Sequence, residues 1–341
     1  MKIYSCLLFL LCLIVFAGCK TDNSAAEARQ SLRELQTPFS HPAFVQAIID
    51  NDMEKVDLFL TGGINPGDGM KNSNPLRIAV SEKRNDIVKK LLAHDIDVDP
   101  ETFAGTPLCI AAAKNYSEIA SMLIAKGADV NYKKGDISPL IVAASMGNVD
   151  IVNLLIEKGA DVNLQGDAAE YSPLMLAAAN GQEDVVKILL AEEDIDPYLV
   201  DRGGSTALSY AIVHGQSGTA ELLIKDNSFD PKKNCSDNLV LAISRHNMGI
   251  AKMLIDAGCD LNGKYGELSL LSWAIVNNYT DGAELLIRLG ADIKQPDADN
   301  KIPLDYALAA KNEVLVNMLS TAAEKLSETS DTTEEPVLSE D

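Results

Sequence analysis

The chain is poor in aromatic residues, which make up 5% of its 341 positions and include one tryptophan, Trp273. Any core must therefore be assembled from Leu, Ile, Val and Ala, within a hydrophobic content of 47%. Net positive charge is absent as well. A formal charge of −21 excludes duplex nucleic acid and anionic lipid headgroups as natural main partners, because both repel an acidic surface. Histidine occurs four times, at positions 41, 94, 214 and 246, too scattered for a metal site or a nucleophile–base pair. Cysteine is scarce too: Cys6 and Cys12 lie in an apolar leader and Cys19 ends it. The remaining Cys109, Cys235 and Cys259 are odd in number and irregular in spacing, with no disulfide framework or zinc pattern; Cys259 reads as a buried thiol. No cofactor motif stands out. The glycine-rich stretches Thr61-Gly62-Gly63 and Arg202-Gly203-Gly204 lack the lysine of a phosphate-binding loop.

Long apolar runs are missing too, apart from Ile3–Phe16. Its fourteen residues would extend about 21 Å as a helix, short of a hydrocarbon core of about 30 Å, so a signal peptide is expected over a spanning helix. The run closes with Phe16-Ala17-Gly18-Cys19, which resembles the lipobox of bacterial lipoproteins, with Phe where Leu is usual. That resemblance implies cleavage after residue 18 and acylation of Cys19, hence a lipid anchor in a bacterial cell envelope. Lys20, where an inner-membrane signal would be Asp, implies the outer membrane, facing the periplasm. The alternative is an ordinary cleavage site with a chance cysteine. Residues 19–40 are polar and Ala-rich, with Ala25–Gln36 capable of a frayed helix, and read as a flexible tether reaching about 25 Å.

What the chain has in abundance is repetition. Taking Ser138–Asn163 as a template, Leu140 aligns with Phe44, Leu76, Leu108, Leu174, Leu208, Leu239, Leu271 and Leu304, in steps of 31 to 34 residues. Three positions later each of the nine copies has alanine, from Ala47 to Ala307. Seven positions later stands Gly or Asn in six copies, with Lys83, His246 and Lys311 in the others. Pro inside the start and Gly or Asn at the break punctuate two short antiparallel helices. A pair so short cannot bury its apolar faces alone.

The motifs Thr106-Pro107-Leu108, Ser138-Pro139-Leu140 and Ser172-Pro173-Leu174, with Gly127-Ala128-Asp129-Val130-Asn131 and Gly159-Ala160-Asp161-Val162-Asn163, resemble the ankyrin repeat. The fold expected is an all-α solenoid of about nine helix-turn-helix repeats joined by hairpin loops, over residues 41–322. An acidic disordered tail should follow at 323–341, with seven acids against Lys325 from Glu324 onward. The family's usual histidine after the leucine is absent, which predicts weaker cohesion between repeats. Irregular closing loops and the small Thr219-Ala220 pair predict the softest stretch between Gly203 and Asp237.

The resemblance also implies where binding occurs, at the hairpin tips and the concave face of the first helices. By register these are Phe103, Lys133, Lys134, Tyr171, Arg202, Lys232, Lys233 and Tyr265 at the tips, with Met146, His214 and Arg245 on the helices. This basic and aromatic selection suits a partner protein with an acidic or mixed surface; the alternative is that a few lysines fall at polar turns by chance. Trp273, two residues past Leu271, reads as core. The function expected is a monomeric, lipid-anchored scaffold that binds another protein and has no catalytic residues. An inhibitor or immunity-like protein neutralising one enzyme or toxin is the alternative, and an enzyme hidden in a divergent repeat is a third reading that the scattered histidines oppose.

Overall fold

The computed structural model describes residues 23–68, 73–100, 105–226, 230 and 233–331, with side chains as far as 325. The chain forms two compact units, 1–169 and 170–341. In the first, a helix α1 over 23–34 precedes four helix pairs: α2 (His41–Ile49) with α3 (Met53–Thr61), α4 (Pro75–Ser81) with α5 (Asn85–Leu91), α6 (Pro107–Lys114) with α7 (Ser117–Ala125), and α8 (Pro139–Met146) with α9 (Val149–Glu157). The second holds five: α10 (Pro173–Ala179) with α11 (Glu183–Leu190), α12 (Ala207–Val213) with α13 (Ser217–Lys225), α14 (Cys235–Ser244) with α15 (Met248–Asp256), α16 (Leu270–Val276) with α17 (Thr280–Arg288), and α18 (Pro303–Ala309) with α19 (Glu313–Asp331). Strands β1 (Lys264–Tyr265) and β2 (Leu268–Ser269) form one antiparallel hairpin. Within each unit, first helices stack on first helices and second on second, giving the expected all-α repeat solenoid.

Local chemistry explains why each pair starts and turns where it does. The side chains of Ser40, Asn74, Thr106, Ser138, Ser172, Thr206 and Ser269 each accept a backbone N–H in the first turn of a first helix. All nine residues seven past the register leucine are left-handed, from Gly147 and Gly181 at φ 73° and 69° to Lys83, His246 and Lys311 at 54°, 58° and 54°. That conformation is strained for a residue with a Cβ. Replacing the exposed Lys311 by Gly should therefore stabilise the last repeat by about 0.5–1 kcal/mol. An unchanged or lowered urea midpoint would remove that reading.

The expected loss of the histidine's inter-repeat bonds leaves other links between repeats in place. In several repeats the residue eight past the leucine reaches back to carbonyls at the end of the preceding first helix. Asn148 donates to the oxygens of Ala112 and Ala113 at 2.6 and 3.2 Å, Asn247 to Ile212 at 2.7 Å, and Arg84 to Ile49 at 2.6 Å. A second ladder links the closing loops, where Asp99, Asn131 and Asn262 accept the backbone N–H of Asp129, Asp161 and Asp292 at 2.8, 2.8 and 2.7 Å. In the repeat lacking Gly-Ala-Asp, the Tyr198 hydroxyl takes over and accepts from the N–H of Asp230. The first set satisfies carbonyls at helix ends and the second set satisfies loop N–H groups, all of which would otherwise need water.

Three further expectations change. Part of the expected tether is helical: in α1, Leu32 is fully buried and Ala28 nearly so, while Arg29 donates to the carbonyl of Gly62 at 2.7 Å and lies over the ring of Phe39. The apolar spacing of Ala28 and Leu32 puts both on one helix face, so α1 covers the open edge of the first repeat. At the other end α19 continues to Asp331, so 323–331 is helical rather than disordered, with Leu315 and Leu319 buried near its start. Cys235 and Cys259 are joined in a disulfide, Cα–Cα 5.7 Å, rather than standing as separate thiols. The bond ties the start of α14 to the loop after α15. Irregular spacing in the sequence hid it because the two residues meet only when one repeat folds back on itself. Cys109 is free and buried, and burial pushes its thiol up.

Candidate functional site

Helix geometry divides the first helices into a buried and a presented side. A residue two positions past the register leucine lies about 200° around the helix from it and cannot share its core. Tyr210 and Trp273 occupy that position after Leu208 and Leu271, and both are half-buried rather than core. The assignment of Trp273 to the core is therefore corrected. Its ring stacks on Tyr279 at 5.2 Å and meets Tyr265 edge-on at 5.9 Å, and Tyr279 in turn meets His246 at 5.9 Å. A second set forms around Tyr210, with Tyr171 edge-on at 5.8 Å and His214 stacked at 6.3 Å.

The named surface residues fare differently. In the first unit, Met146 at the end of α8 is 57% exposed. Lys133 pairs with Asp167 at 2.8 Å, and the backbone of Lys134 closes a tight turn with Ile137. In the second, Tyr171, His214 and Tyr265 join the ring sets above, and Arg245 is exposed beside His246. Arg202 pairs with Glu170 at 3.3 Å, while Lys233 sits over the ring of Tyr198 at 4.3 Å. Phe103, Lys232 and Cys19 lie outside the described residues. Several basic tips thus carry counter-charges or rings of their own, which weakens the case for an acidic partner. The sequence reading missed Tyr210, Trp273, Tyr279 and His246. Their signal was available in the shared register two or seven to eight positions past the leucine.

Hairpin geometry in the second unit is held by carboxylates. Asp201 accepts the N–H groups of Gly203 and Ser205 at 2.8 Å each, and the Tyr210 hydroxyl at 2.6 Å. Asp297 repeats the arrangement with Asp299, Lys301 and Tyr306. Burial pushes the Asp201 carboxyl up, but the bonds from Tyr210, Ser205 and Gly203 outweigh it and hold it below the usual range. The hydrogen bond to Asp297, aided by burial, raises Tyr306 to about 12. A depressed carboxyl stabilises the fold above its unfolded pKa of about 3.9, and that contribution is lost as pH falls through the lower folded value. Tyr210→Phe should flatten the fall in urea midpoint below about pH 4. Parallel acid limbs for both proteins would argue against the clasp.

Among the described residues, no cluster of three or more His, Cys, Asp or Glu side chains could hold a metal ion, and no helix is long and apolar enough to cross a membrane. A family model described as ankyrin repeats (3 copies) matches residues 44–134, 100–166 and 140–237. No curated protein matches the chain.

Proposed function

We propose that this chain, which belongs to the ankyrin-repeat family, is a lipid-anchored envelope scaffold that binds a partner protein through its hairpin tips and first-helix faces, without a catalytic step of its own. The observation that carries the binding part is the presentation of large apolar side chains where core packing does not require them. Met146 and Tyr265 are 57% and 41% exposed, and Trp273 and Tyr210 lie beside the tips. Trp and Tyr are enriched among the few residues that carry most of the binding energy in protein interfaces.

The anchoring part draws on the leader ending in Ala17-Gly18-Cys19 and on the Cys235–Cys259 disulfide. Disulfides persist in oxidising compartments such as the periplasm and are rare in reducing cytosol. Two or three acyl chains on Cys19 exceed what stable anchoring needs. The outer membrane, facing the periplasm, is the location that Lys20 favours, and a monomer is the state assigned to the chain. Cys19→Ala should move the protein from the membrane fraction to the soluble fraction; retention in the membrane would end the lipoprotein reading.

Affinity capture on the mature chain from envelope extracts tests the scaffold. Several structural partners support it, whereas a single tightly held enzyme or toxin supports the inhibitor alternative. If Met146→Asp and Tyr265→Ala together leave every captured protein in place, the assigned faces are wrong.

A further inference from the structure

We infer that the row Tyr265–Trp273–Tyr279 receives an arginine side chain from a basic segment of the partner protein. This rests on the reading that the first-helix faces dock a protein, and it names the chemistry one of them selects. The three rings are in sequential contact at 5.9 and 5.2 Å. Tyr265 is 41% exposed, Trp273 and Tyr279 are half-buried, and Val276, one helical turn beyond Trp273, is 48% exposed, so the row is reachable from solvent.

Elsewhere the chain fills such rings with its own cations: Arg29 over Phe39, Lys83 over Tyr116, Lys233 over Tyr198 and Lys301 over Tyr306, at 4.3 to 5.8 Å. Among the described residues, no Lys or Arg lies over Tyr265, Trp273 or Tyr279. The surroundings favour a cation. Residues 235–300 hold nine Asp and Glu against five Lys and Arg. At the two ends of the row stand Glu267 on the hairpin and Asp281, which holds His246 at 2.8 Å, with Lys264 next to Tyr265 and Arg245 next to His246 in sequence, so it is the net charge of the stretch that favours a cation. A planar guanidinium stacks on aromatic faces and is more weakly hydrated than an ammonium, which makes arginine the better fit.

Trp273 is the only tryptophan, so its fluorescence reports on this face directly. The probe is a nine-residue synthetic peptide of alternating Arg and Gly, titrated into the full chain at 0.15 M salt beside a copy with citrulline for every Arg. A saturable change in Trp273 emission is expected, at least tenfold weaker with citrulline and at least tenfold weaker in Tyr265→Ala. Circular dichroism shows whether that variant keeps its fold, and Tyr265→Phe, which retains the ring, should bind like the parent. Binding indifferent to Tyr265→Ala reflects general attraction to an acidic chain and overturns the inference. Citrulline binding as tight as arginine, while still dependent on Tyr265, also overturns it but leaves the docking face standing. No saturable change with the arginine peptide overturns it as well, and the scaffold reading then stands or falls by envelope capture.

Discussion

Breaking the Cys235–Cys259 bond should lower the stability of the second unit by about 3 kcal/mol. The bond closes a loop of 24 residues in sequence, and restricting a loop of that size in the unfolded chain is worth about that much. The local setting concentrates the effect. Seven first helices start with a side chain that accepts a first-turn N–H, but α14 starts at Asn234, which is left-handed and makes no such bond. The disulfide therefore holds the start of one of the two repeats whose entries lack this bond, the other being α18 after Ile302, and the loop before α14 also departs from the repeat pattern. Small residues Thr219 and Ala220 fill the neighbouring second helix, so packing there offers less compensation. The measurement is a urea titration with and without reductant, repeated on the Cys235→Ser, Cys259→Ser double variant. Buried Cys109 is the control, because Cys109→Ser should leave the response to reductant intact. Coincident curves in oxidised and reduced protein would falsify the proposed role. If the bond is lost, hydrogen exchange should speed up first around α14 and α15, since repeat arrays fail at their weakest interface.

How much of this could be read from the sequence depended on whether a feature was local. Leu140, Ala143 and Gly147 recur at fixed offsets because every helix pair repeats the same packing, and their burial and φ follow the expected pattern. The turn position held even where the residue type did not: Lys83, His246 and Lys311 accept the left-handed conformation because the flanking helices leave no alternative. Features made by two repeats were harder to see. Asn148 looks like an ordinary turn residue until the preceding helix places the carbonyls of Ala112 and Ala113 in its reach. The sequence suggests only a frayed helix within the tether, because polar residues surround Ala28 and Leu32 and two apolar positions are a weak periodic signal; their burial is what makes α1 part of the fold. At the candidate site, the identity of the tip residues was legible but their pairing was not. Lys133 and Arg202 look like available cations in an acidic chain, yet Asp167 and Glu170, each from the hairpin one repeat away, lie beside them. Exposed pairs of this kind contribute little stability. On the proposed binding reading they decide what a partner meets: a paired tip rather than a bare charge, which shifts the weight of recognition to the rings.

Ala143→Leu should destabilise the first unit by about 1–3 kcal/mol, although it adds hydrophobic surface. Ala143 is fully buried on α8, which packs against both α6 and α9, and Ala111 occupies the same register in α6. An isobutyl group in place of a methyl must push apart helices that touch through their smallest side chains. Neighbouring repeats stabilise one another only through such interfaces, so the strain spreads beyond the mutated pair. The control lies one residue earlier. Val142 sits two positions past Leu140, on the presented side of the same helix, and is half-buried. Val142→Leu changes size in the same direction without entering the stack, and should shift stability by no more than about 0.5 kcal/mol. Urea midpoints of the two variants therefore separate packing from hydrophobicity. Equal midpoints would mean that the recurring alanine reflects helix propensity alone, and that the division of each first helix into stacked and presented faces, on which the binding surface depends, is wrong.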